Sequence, residues 1–277
     1  MIKKSSILNI IIASHCDFKN LRFTVDKLLS YECEDLRLIV VDSNKEKKSL
    51  DYLNSIRSKI TFISEPDTGI ASAWNKGISL LNDGWVIFLG CGDSISRVDI
   101  EKIQKKIISM DFQHIIYGDT ILVNQKNYKV KRSKPFTFNH TKSFPFLHPS
   151  VVVPFTIFRN IGNFDCSYKY AMDSDWLMKV FLSMKYTFSQ SNHSVEMLDN
   201  GLSVKNWFDA NLEFLKSKKT NFRLNHYQYN LLLFKLIIKY YLVFKTNSFY
   251  VLHFVKRNAH NIYIKFINLV LRFLPFY

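Results

Sequence analysis

Three side chains with hydroxyl or carboxyl groups come shortly after apolar runs, and their positions suggest a ligand site. Ser14, Asp42 and Asp93 each lie within a few residues of the end of such a run. The runs have the length and aliphatic content of buried β-strands, and they are residues 7–12, 36–41 and 85–89. The carboxyl ends of parallel strands meet at one edge of a sheet, where α/β folds bind ligands.

Amphipathic helices are predicted between these runs. Ile70, Trp74, Ile78 and Leu81 fall at positions i, i+4, i+8 and i+11, which is the spacing of one apolar helix face. Similar periodicity occurs after the first and second runs and again over residues 97–110. This alternation of strands and helices predicts an α/β fold in which consecutive strands are parallel.

A second polar segment, Ala171-Met172-Asp173-Ser174-Asp175-Trp176, opens another helical pattern. A carboxylate at a helix N-terminus stabilises the helix, so Asp173 has a structural explanation. The same carboxylate could act as a general base that removes a proton from a hydroxyl group. His148, just before the apolar residues 150–153, is also open to two interpretations: a hydrogen-bonded core histidine, or a polar group of a site.

The segment SEPDTGIASAWNKGI, residues 64–78, is followed by WVIFLGCGD, residues 85–93. Together they resemble the inverting family 2 glycosyltransferases of the GT-A fold over about thirty positions in the right order. The resemblance is greatest to small bacterial enzymes that build surface polysaccharides. A weaker likeness extends from Leu8 to about Ser203, and it includes the segment around Asp173.

This resemblance implies a particular architecture. The expected fold is a Rossmann-like, mostly parallel sheet flanked by helices, with a basic helical extension at the C-terminal end. The catalytic domain would occupy residues 1–205, with a nucleotide-binding half of about 1–95 and an acceptor half of about 96–205. The basic and aromatic extension would occupy residues 206–277.

The resemblance also implies roles for individual residues. Asp173 matches the catalytic base, although Met172 stands where the family has a glutamate. Asp93 matches a ligand of Mg²⁺ or Mn²⁺, and it is the one acid of GCGD where the familiar motif is D-x-D. His148 and Asp175 are assigned to the acceptor or the diphosphate. The implied donor nucleotide-binding residues are Ala13, Ser14, Asp42, Asp67, Asn75, Lys76 and Gly92.

The implied reaction transfers a sugar from a nucleotide-diphosphate sugar, with UDP as the favoured nucleotide. The implied acceptor is a hydroxyl of a lipid-linked glycan in the synthesis of capsule, exopolysaccharide or O-antigen. The polybasic tail and the incomplete D-x-D motif motivate an alternative: a non-catalytic protein that binds membrane or nucleic acid on a degenerate GT-A scaffold.

Positive charge is concentrated near the C-terminal end of the chain. The net charge is +15; eleven Lys or Arg residues and no Asp or Glu follow Glu213, which leaves +4 for residues 1–213. Such asymmetry favours an anionic partner for the tail. Nucleic acid is disfavoured as that partner, because a nucleic-acid-binding domain would carry its basic and stacking aromatic residues on the main body.

The tail combines this charge with many large apolar residues. Over residues 226–245 and 248–273, Leu, Ile, Phe and Tyr are dense, and no stretch of about eighteen apolar residues is free of charge. We therefore expect amphipathic helices in the headgroup plane of an anionic membrane. The alternative is a helical subdomain that packs on the catalytic domain or forms a homodimer.

The expected location is cytoplasmic, with peripheral association at the inner face of the cell membrane. The four cysteines have neither metal-ligand spacing nor the pattern of a small disulfide framework, which favours a reducing compartment. The apolar residues 7–12 are interpreted as a first core strand and not as a signal peptide, since the run is short and contains Asn9.

Overall fold

The computed structural model describes residues 6–43, 46–124, 127–137 and 143–244. The strands are β1 (Leu8–Ser14), β2 (Leu36–Asp42), β3 (Thr61–Ser64), β4 (Trp85–Gly90), β5 (Ser94–Ile95), β6 (His114–Val123), β7 (Tyr128–Lys131), β8 (Val151–Pro154) and β9 (Thr187–Leu198). The helices are α1 (Phe18–Leu29), α2 (Lys47–Ser55), α3 (Ile70–Ser79), α4 (Arg97–Ile108), α5 (Thr156–Ile161), α6 (Met172–Leu182), α7 (Leu202–Lys205), α8 (Trp207–Asn221) and α9 (His226–Phe244). A short 3₁₀ turn spans His148–Ser150.

The described strands form one mixed sheet in the order β3-β2-β1-β4-β8-β6-β9-β5, with β7 paired to β6. The first four strands of this order are mutually parallel, as the alternation of strands and helices predicted. β8 runs antiparallel to both β4 and β6. The pairing of β1 with β2 places Ser14 opposite Asp42, and β2 with β3 places Asp42 opposite Ser64. The exits of these strands are therefore level.

Helices cover both faces of the sheet because successive strand residues point to opposite sides. Ile10 and Ile12 of β1 pack in the core beneath α1, α2 and α4. Ile11 packs on the other face, in the core that contains Trp74 of α3 and Trp176 of α6. The predicted GT-A-like α/β fold, a curled sheet between helical layers, is confirmed.

Sequence patterns did not predict β9, which pairs along β6 for most of its length. Its sequence, TFSQSNHSVEML, lacks a continuous apolar alternation. The β6–β9 register shifts between Tyr117 and Asp119, and Gly118 at this bulge permits a very close approach of the strands. A Cβ atom on Gly118 would lie 2.3 Å from the carbonyl oxygen of His193.

The chain divides into two compact units, Met1–Leu224 and Asn225–Tyr277. The sequence prediction placed a boundary at residue 205, so α7 and α8 join the first unit instead of the extension. α8 is held to α6 by polar contacts: Asp175 accepts hydrogen bonds from Ser217 at 2.7 Å and from Asn221 at 2.8 Å.

The second unit is described as far as the end of α9, so the predicted helix over residues 248–273 lies outside the described residues. α9 is helical, as the sequence predicted for residues 226–245. Among the helices that the structure describes, none combines the length and the apolar character needed to cross a membrane.

A pair of truncations tests the assignment of α8 to the first unit. We expect a chain that ends after Leu224 to melt as a cooperative unit. A chain that ends after Lys205 loses the α8 partners of buried Asp175, and breaking a buried polar network of this kind costs roughly 3–5 kcal/mol. Its melting temperature should therefore be lower by roughly 10 °C. Equal melting temperatures of the two chains in calorimetry would contradict the assignment.

Candidate active site

Three polar side chains form a row at the carboxyl edge of the parallel strands. Ser14, Asp42 and Ser64 are cross-strand neighbours, and the Ser64 hydroxyl donates a hydrogen bond to the Asp42 carboxylate at 3.2 Å. Ser14 is buried near the thiol of Cys91, and its hydroxyl has no hydrogen-bond partner of ordinary geometry among the described residues. The hydroxyl of Ser43, next to Asp42, is likewise buried without such a partner. Buried polar groups normally have partners, so these two indicate a place where a ligand could bind.

The loop after β4 is held in place by α1 and by its own acid. The Thr24 hydroxyl of α1 accepts a hydrogen bond from the Gly92 amide at 2.9 Å and donates one to the Asp93 carbonyl at 2.9 Å. The Asp93 carboxylate turns back into the loop, where it accepts from the amides of Gly90 at 2.8 Å and Leu198 at 3.1 Å. Asp93 is only 7% exposed, and burial raises its pKa to about 6 although both hydrogen bonds oppose this shift.

The described residues do not by themselves assemble a metal site around Asp93. Each of its carboxylate oxygens already accepts a backbone N–H, and burial makes its ionised form less favourable. Burial also raises the pKa of the adjacent Cys91 to about 12, so that side chain remains a neutral thiol and a poor ligand for a hard cation. Among the described residues, no group of three or more His, Cys, Asp or Glu side chains could hold a metal ion. In this structure Asp93 holds its loop; its role as a metal ligand stays a prediction, and no step below depends on a metal.

Two further residues assigned to the donor have structural partners. Asn75 of α3 donates to the Phe164 carbonyl at 2.9 Å and accepts from the Phe164 amide at 3.0 Å, as a strand neighbour would. Lys76 donates to the Pro66 carbonyl at 2.7 Å and forms an ion pair with Glu65 at 2.8 Å. Asn75 therefore ties α3 to the second half of the unit, and Lys76 holds the turn before α3.

Asp67, the remaining donor-side acid, shapes the turn that enters α3. Its carboxylate accepts a hydrogen bond from the Gly69 amide at 2.9 Å. Gly69 has φ +133°, a backbone angle that residues other than glycine rarely adopt. No contact in the structure opposes the predicted donor role of Asp67, and this role stays a prediction.

Asp173 is the second residue of α6 and is half-buried. It is therefore not the N-cap, which is Ala171, and no side chain caps the helix there. One oxygen of the Asp173 carboxylate accepts from the amide of Ser174 at 2.6 Å. Its partial exposure leaves the carboxylate accessible to a substrate hydroxyl.

His148 lies in the electrostatic environment of Asp173 and is enclosed by aromatic rings. Its ring is 4.8 Å from that of Trp74 and 5.5 Å from that of Phe88. Burial lowers the pKa of His148, and the negative charge of Asp173 opposes this shift only in part. The imidazole is therefore neutral near pH 7. Among the described residues, His148 Nδ1 and Trp74 Nε1 have no hydrogen-bond partner, although both side chains are buried.

Asp175 does not face a substrate site in this structure. It is 2% exposed, and its carboxylate contacts Ser217 and Asn221 of α8 and the Lys179 ammonium of α6 at 2.7 Å. We correct its predicted contact with acceptor or diphosphate to a structural role in the α6–α8 interface. The sequence missed this because the α8 partners of Asp175, Ser217 and Asn221, follow it by more than forty residues.

A polar cavity of about 600 Å³ lies elsewhere, at the bulge between β6 and β9. It is lined by Lys106, Asp119, Arg132, Ser133, Gln190, Ser191 and Asn192. The Asp119 carboxylate accepts hydrogen bonds there from the Arg132 guanidinium at 2.6 Å and from the Ser133 amide at 2.7 Å. The cavity shares no residue with the strand edge, and the Thr120 hydroxyl of β6 is also buried without a hydrogen-bond partner among the described residues. We take the strand edge and Asp173 as the candidate active site because α/β folds bind ligands at the carboxyl edge of their parallel strands.

The sequence profile described as glycosyl transferase family 2 matches residues 9–165, more than half of the chain. The chain belongs to glycosyl transferase family 2. The match includes the strand edge and His148, and it ends before Asp173 and α8. Assignments in those later segments therefore depend on the structure and on the sequence resemblance.

Curated relatives with sequence similarity are themselves glycosyltransferases. The chain is 23% identical over 169 residues to a PGL/p-HBAD biosynthesis glycosyltransferase of Mycobacterium bovis. This match covers 57% of the present chain and 62% of the relative. It is 27% identical over 197 residues to an uncharacterised glycosyltransferase of Rickettsia typhi, covering 66% and 61% of the two chains. The chain thus spans about three-fifths of the length of these relatives.

Solved structures support the fold. Residues 1–349 of S. aureus TarS in complex with UDP-GlcNAc match with a TM-score of 0.59 at 14% identity, covering 88% of this chain and 75% of that one. The mannosyltransferase PcManGT from Pyrobaculum calidifontis, in complex with GDP-Man and Mn²⁺, matches with a TM-score of 0.59 at 12% identity, covering 91% and 79%. At these identities the likeness shows the GT-A-like fold alone.

The raised pKa of Asp93 predicts a specific pH dependence of stability. The folded protein binds this proton more tightly than the unfolded chain, so the stabilisation is present below about pH 4 and is lost as the pH rises through about 6. Relative to Asp93→Asn, which cannot titrate, the wild type should gain about 2 kcal/mol of unfolding free energy between pH 6 and pH 4.

Urea unfolding at several pH values measures this difference. Asp83→Asn removes the same charge from a carboxylate whose side chain is 44% exposed, and it serves as the matched control. Asp93 titrates in both the wild type and Asp83→Asn, so the difference in unfolding free energy between these two proteins should not grow on acidification in this way. A constant difference between the wild type and Asp93→Asn would show that burial does not raise the pKa of Asp93.

Proposed function

We propose that this protein is an inverting glycosyltransferase that moves a sugar, of hexosyl type, from a nucleotide-diphosphate sugar, with UDP favoured, to a hydroxyl of a lipid-linked glycan. The product would belong to a surface polysaccharide such as capsule, exopolysaccharide or O-antigen. The observation that carries the proposal is the half-buried carboxylate of Asp173 at the start of α6, whose charge acts on the buried imidazole of His148. Both lie in the same compact unit as the polar strand edge.

The proposed reaction is a single displacement. The acceptor hydroxyl transfers its proton to Asp173, and its oxygen attacks the anomeric carbon of the donor sugar. The bond from that carbon to the diphosphate oxygen breaks on the opposite side, and the nucleoside diphosphate leaves with the electron pair. Attack from the opposite side inverts the configuration at the anomeric carbon. A base positioned in this way contributes roughly 10²- to 10⁴-fold to the rate.

The strand edge is proposed to bind the donor nucleotide. Asp42 offers carboxylate oxygens to the hydroxyl or N–H groups of a nucleoside, and Ser14 offers an unpartnered hydroxyl. Neighbouring parallel strands are about 4.8 Å apart, so the row from Ser14 to Ser64 spans about 10 Å, the length of a nucleoside. The TarS structure in complex with UDP-GlcNAc provides the analogy for this assignment. Ala13 and Gly92 would then contribute backbone groups beside the diphosphate.

A requirement for Mg²⁺ or Mn²⁺ stays a prediction of the resemblance. The PcManGT structure contains Mn²⁺ together with GDP-Man. When bound, such an ion would stabilise the negative charge that develops on the leaving diphosphate. In the present chain the acids of the strand edge do not by themselves form a site for it.

The assignment of Asp173 is tested by Asp173→Asn. The substitution keeps an acceptor for the Ser174 amide but removes the basicity, so transfer should fall by at least about 10²-fold while donor affinity changes little. Asp209→Asn, which alters an acid in the first turn of another helix, is the matched control and should remain active. The measurements are product formation and donor binding by calorimetry. Activity of Asp173→Asn within a few-fold of the wild type would exclude Asp173 as the base.

The second unit is proposed to bind the inner face of the cell membrane, where a lipid-linked acceptor would reside. On α9, Tyr227, Leu231 and Phe234 are exposed large residues, with exposed fractions of 57%, 39% and 40%. The lysines and arginines that follow Glu213 have no acidic residue among them. An apolar surface combined with an excess of positive charge is the composition of a helix that lies in an anionic headgroup region.

Vesicle sedimentation tests this membrane proposal. The full chain should bind vesicles more strongly as their anionic lipid content rises, since each Lys or Arg near the surface contributes about 1 kcal/mol. Added salt should weaken binding without abolishing it, because the apolar contribution is not screened. A chain that ends after Leu224 is the matched control and should stay in solution. A full chain that ignores anionic vesicles at low salt and dimerises through residues 226–277 would overturn the proposal.

A further inference from the structure

The start of α6 has an unusual form of stabilisation. The first amides of a helix have no acceptors within the helix, and a side chain at the N-cap commonly provides one. Here the N-cap is Ala171, which has no side-chain oxygen. The amides just before the helix are bound instead by Glu213 of α8, which follows Ala171 by 42 residues.

Glu213 binds three consecutive backbone amides with one carboxylate. Its Oε1 accepts from Lys169 at 3.1 Å, and its Oε2 accepts from Tyr170 at 2.7 Å and from Ala171 at 3.1 Å. Successive amides that converge on one anion fix the backbone dihedral angles of the segment between them. The last of these amides is only two residues from Asp173.

We propose that Glu213 is a positioning residue for Asp173, because it fixes the segment from which α6 begins. Glu213 touches neither the donor strand edge nor, in our assignment, the reacting atoms, so it acts through the backbone of residues 169–171. A misplacement of about 1 Å in a reacting group can cost roughly 10²-fold in rate. The proposal rests on the function proposed above for Asp173.

The α6–α8 interface does not depend on Glu213 alone. Ser217, one turn further along α8, donates to Asp175 at 2.7 Å, and Asn221 donates to the same oxygen. These contacts should keep the two helices together when Glu213 is changed. Glu213→Ala should therefore loosen residues 169–171 without detaching α8, and Ser217→Ala provides a matched control in the same helix.

The two oxygens of Glu213 allow a graded test. Glu213→Ala removes the acceptor of all three amides, so kcat should fall about 10- to 100-fold while the KM for the donor changes less than about three-fold. Glu213→Gln can keep its oxygen on Tyr170 and Ala171 and place its NH₂ group against the Lys169 amide. The loss of kcat should then be smaller than for alanine. Ser217→Ala should keep kcat within about two-fold of the wild type.

Amide hydrogen exchange supplies a readout that does not depend on catalysis. Exchange should rise at all three amides in Glu213→Ala, mainly at Lys169 in Glu213→Gln, and at none of them in Ser217→Ala. Unchanged exchange in Glu213→Ala would overturn the proposal, and so would raised exchange with an unchanged kcat. A loss of kcat in Ser217→Ala equal to that in Glu213→Ala would also overturn it, because any weakening of the interface would then suffice.

Exchange reports on Glu213 whichever residue is the base, whereas the Asp173→Asn assay reports on the base alone. The two proposals can therefore fail separately. If Asp173→Asn is active but exchange follows the expected pattern, Glu213 orders the segment and Asp173 is the wrong target. If Asp173→Asn is inactive and exchange does not change, the base assignment stands and Glu213 has no positioning role.

Discussion

The in-register pairing of β3, β2, β1 and β4 is the constraint on which the site depends. Parallel strands with aligned ends place residues that are far apart in the chain about 4.8 Å from each other. Ser14, Asp42 and Ser64 become neighbours only for this reason, since about twenty to thirty residues separate them in sequence. The helices between the strands bury the aliphatic faces that hold this register, because a shift by one residue would turn each strand's side chains to the opposite face.

Buried polar side chains then fix the loops around that edge. Asp93 binds two amides of its own neighbourhood, Asn75 pairs with both backbone groups of Phe164, and Asp175 binds α8. A buried carboxylate or amide is stable only when its hydrogen-bonding groups are satisfied, so each of these contacts specifies one arrangement of the chain. The residues that fix these loops are aspartates and an asparagine, which are also residue types that could bind substrate or act in catalysis.

The site therefore combines rigid and partly open components. His148 is held neutral within an aromatic cluster, while Asp173 retains exposure at the end of a helix. α8 connects to the beginning of that helix through Glu213 and to its first turn through Asp175. This connection explains why α8 belongs to the compact first unit although its sequence begins the positively charged part of the chain.

The sequence by itself determined the strands and helices of the first half and the family. Their apolar periodicities are local, and the motif around residues 64–93 is continuous in the chain. It also identified Asp42, Asp173 and Ser14 as site candidates, because polar residues at strand exits and helix starts have positions that follow from local pattern. Ser64 could have been found by the same rule, since it ends β3.

Only the tertiary structure decided the roles of Asp93, Asn75 and Asp175, and of Glu213, which sequence reasoning passed over. Apart from the Gly90 amide and the Lys179 ammonium, the partners of these side chains lie between about forty and more than one hundred residues away. An aspartate that binds a substrate and an aspartate that binds distant backbone amides are the same residue type in the sequence. They differ in burial and in which donors surround them, and both are fixed only when the chain has folded.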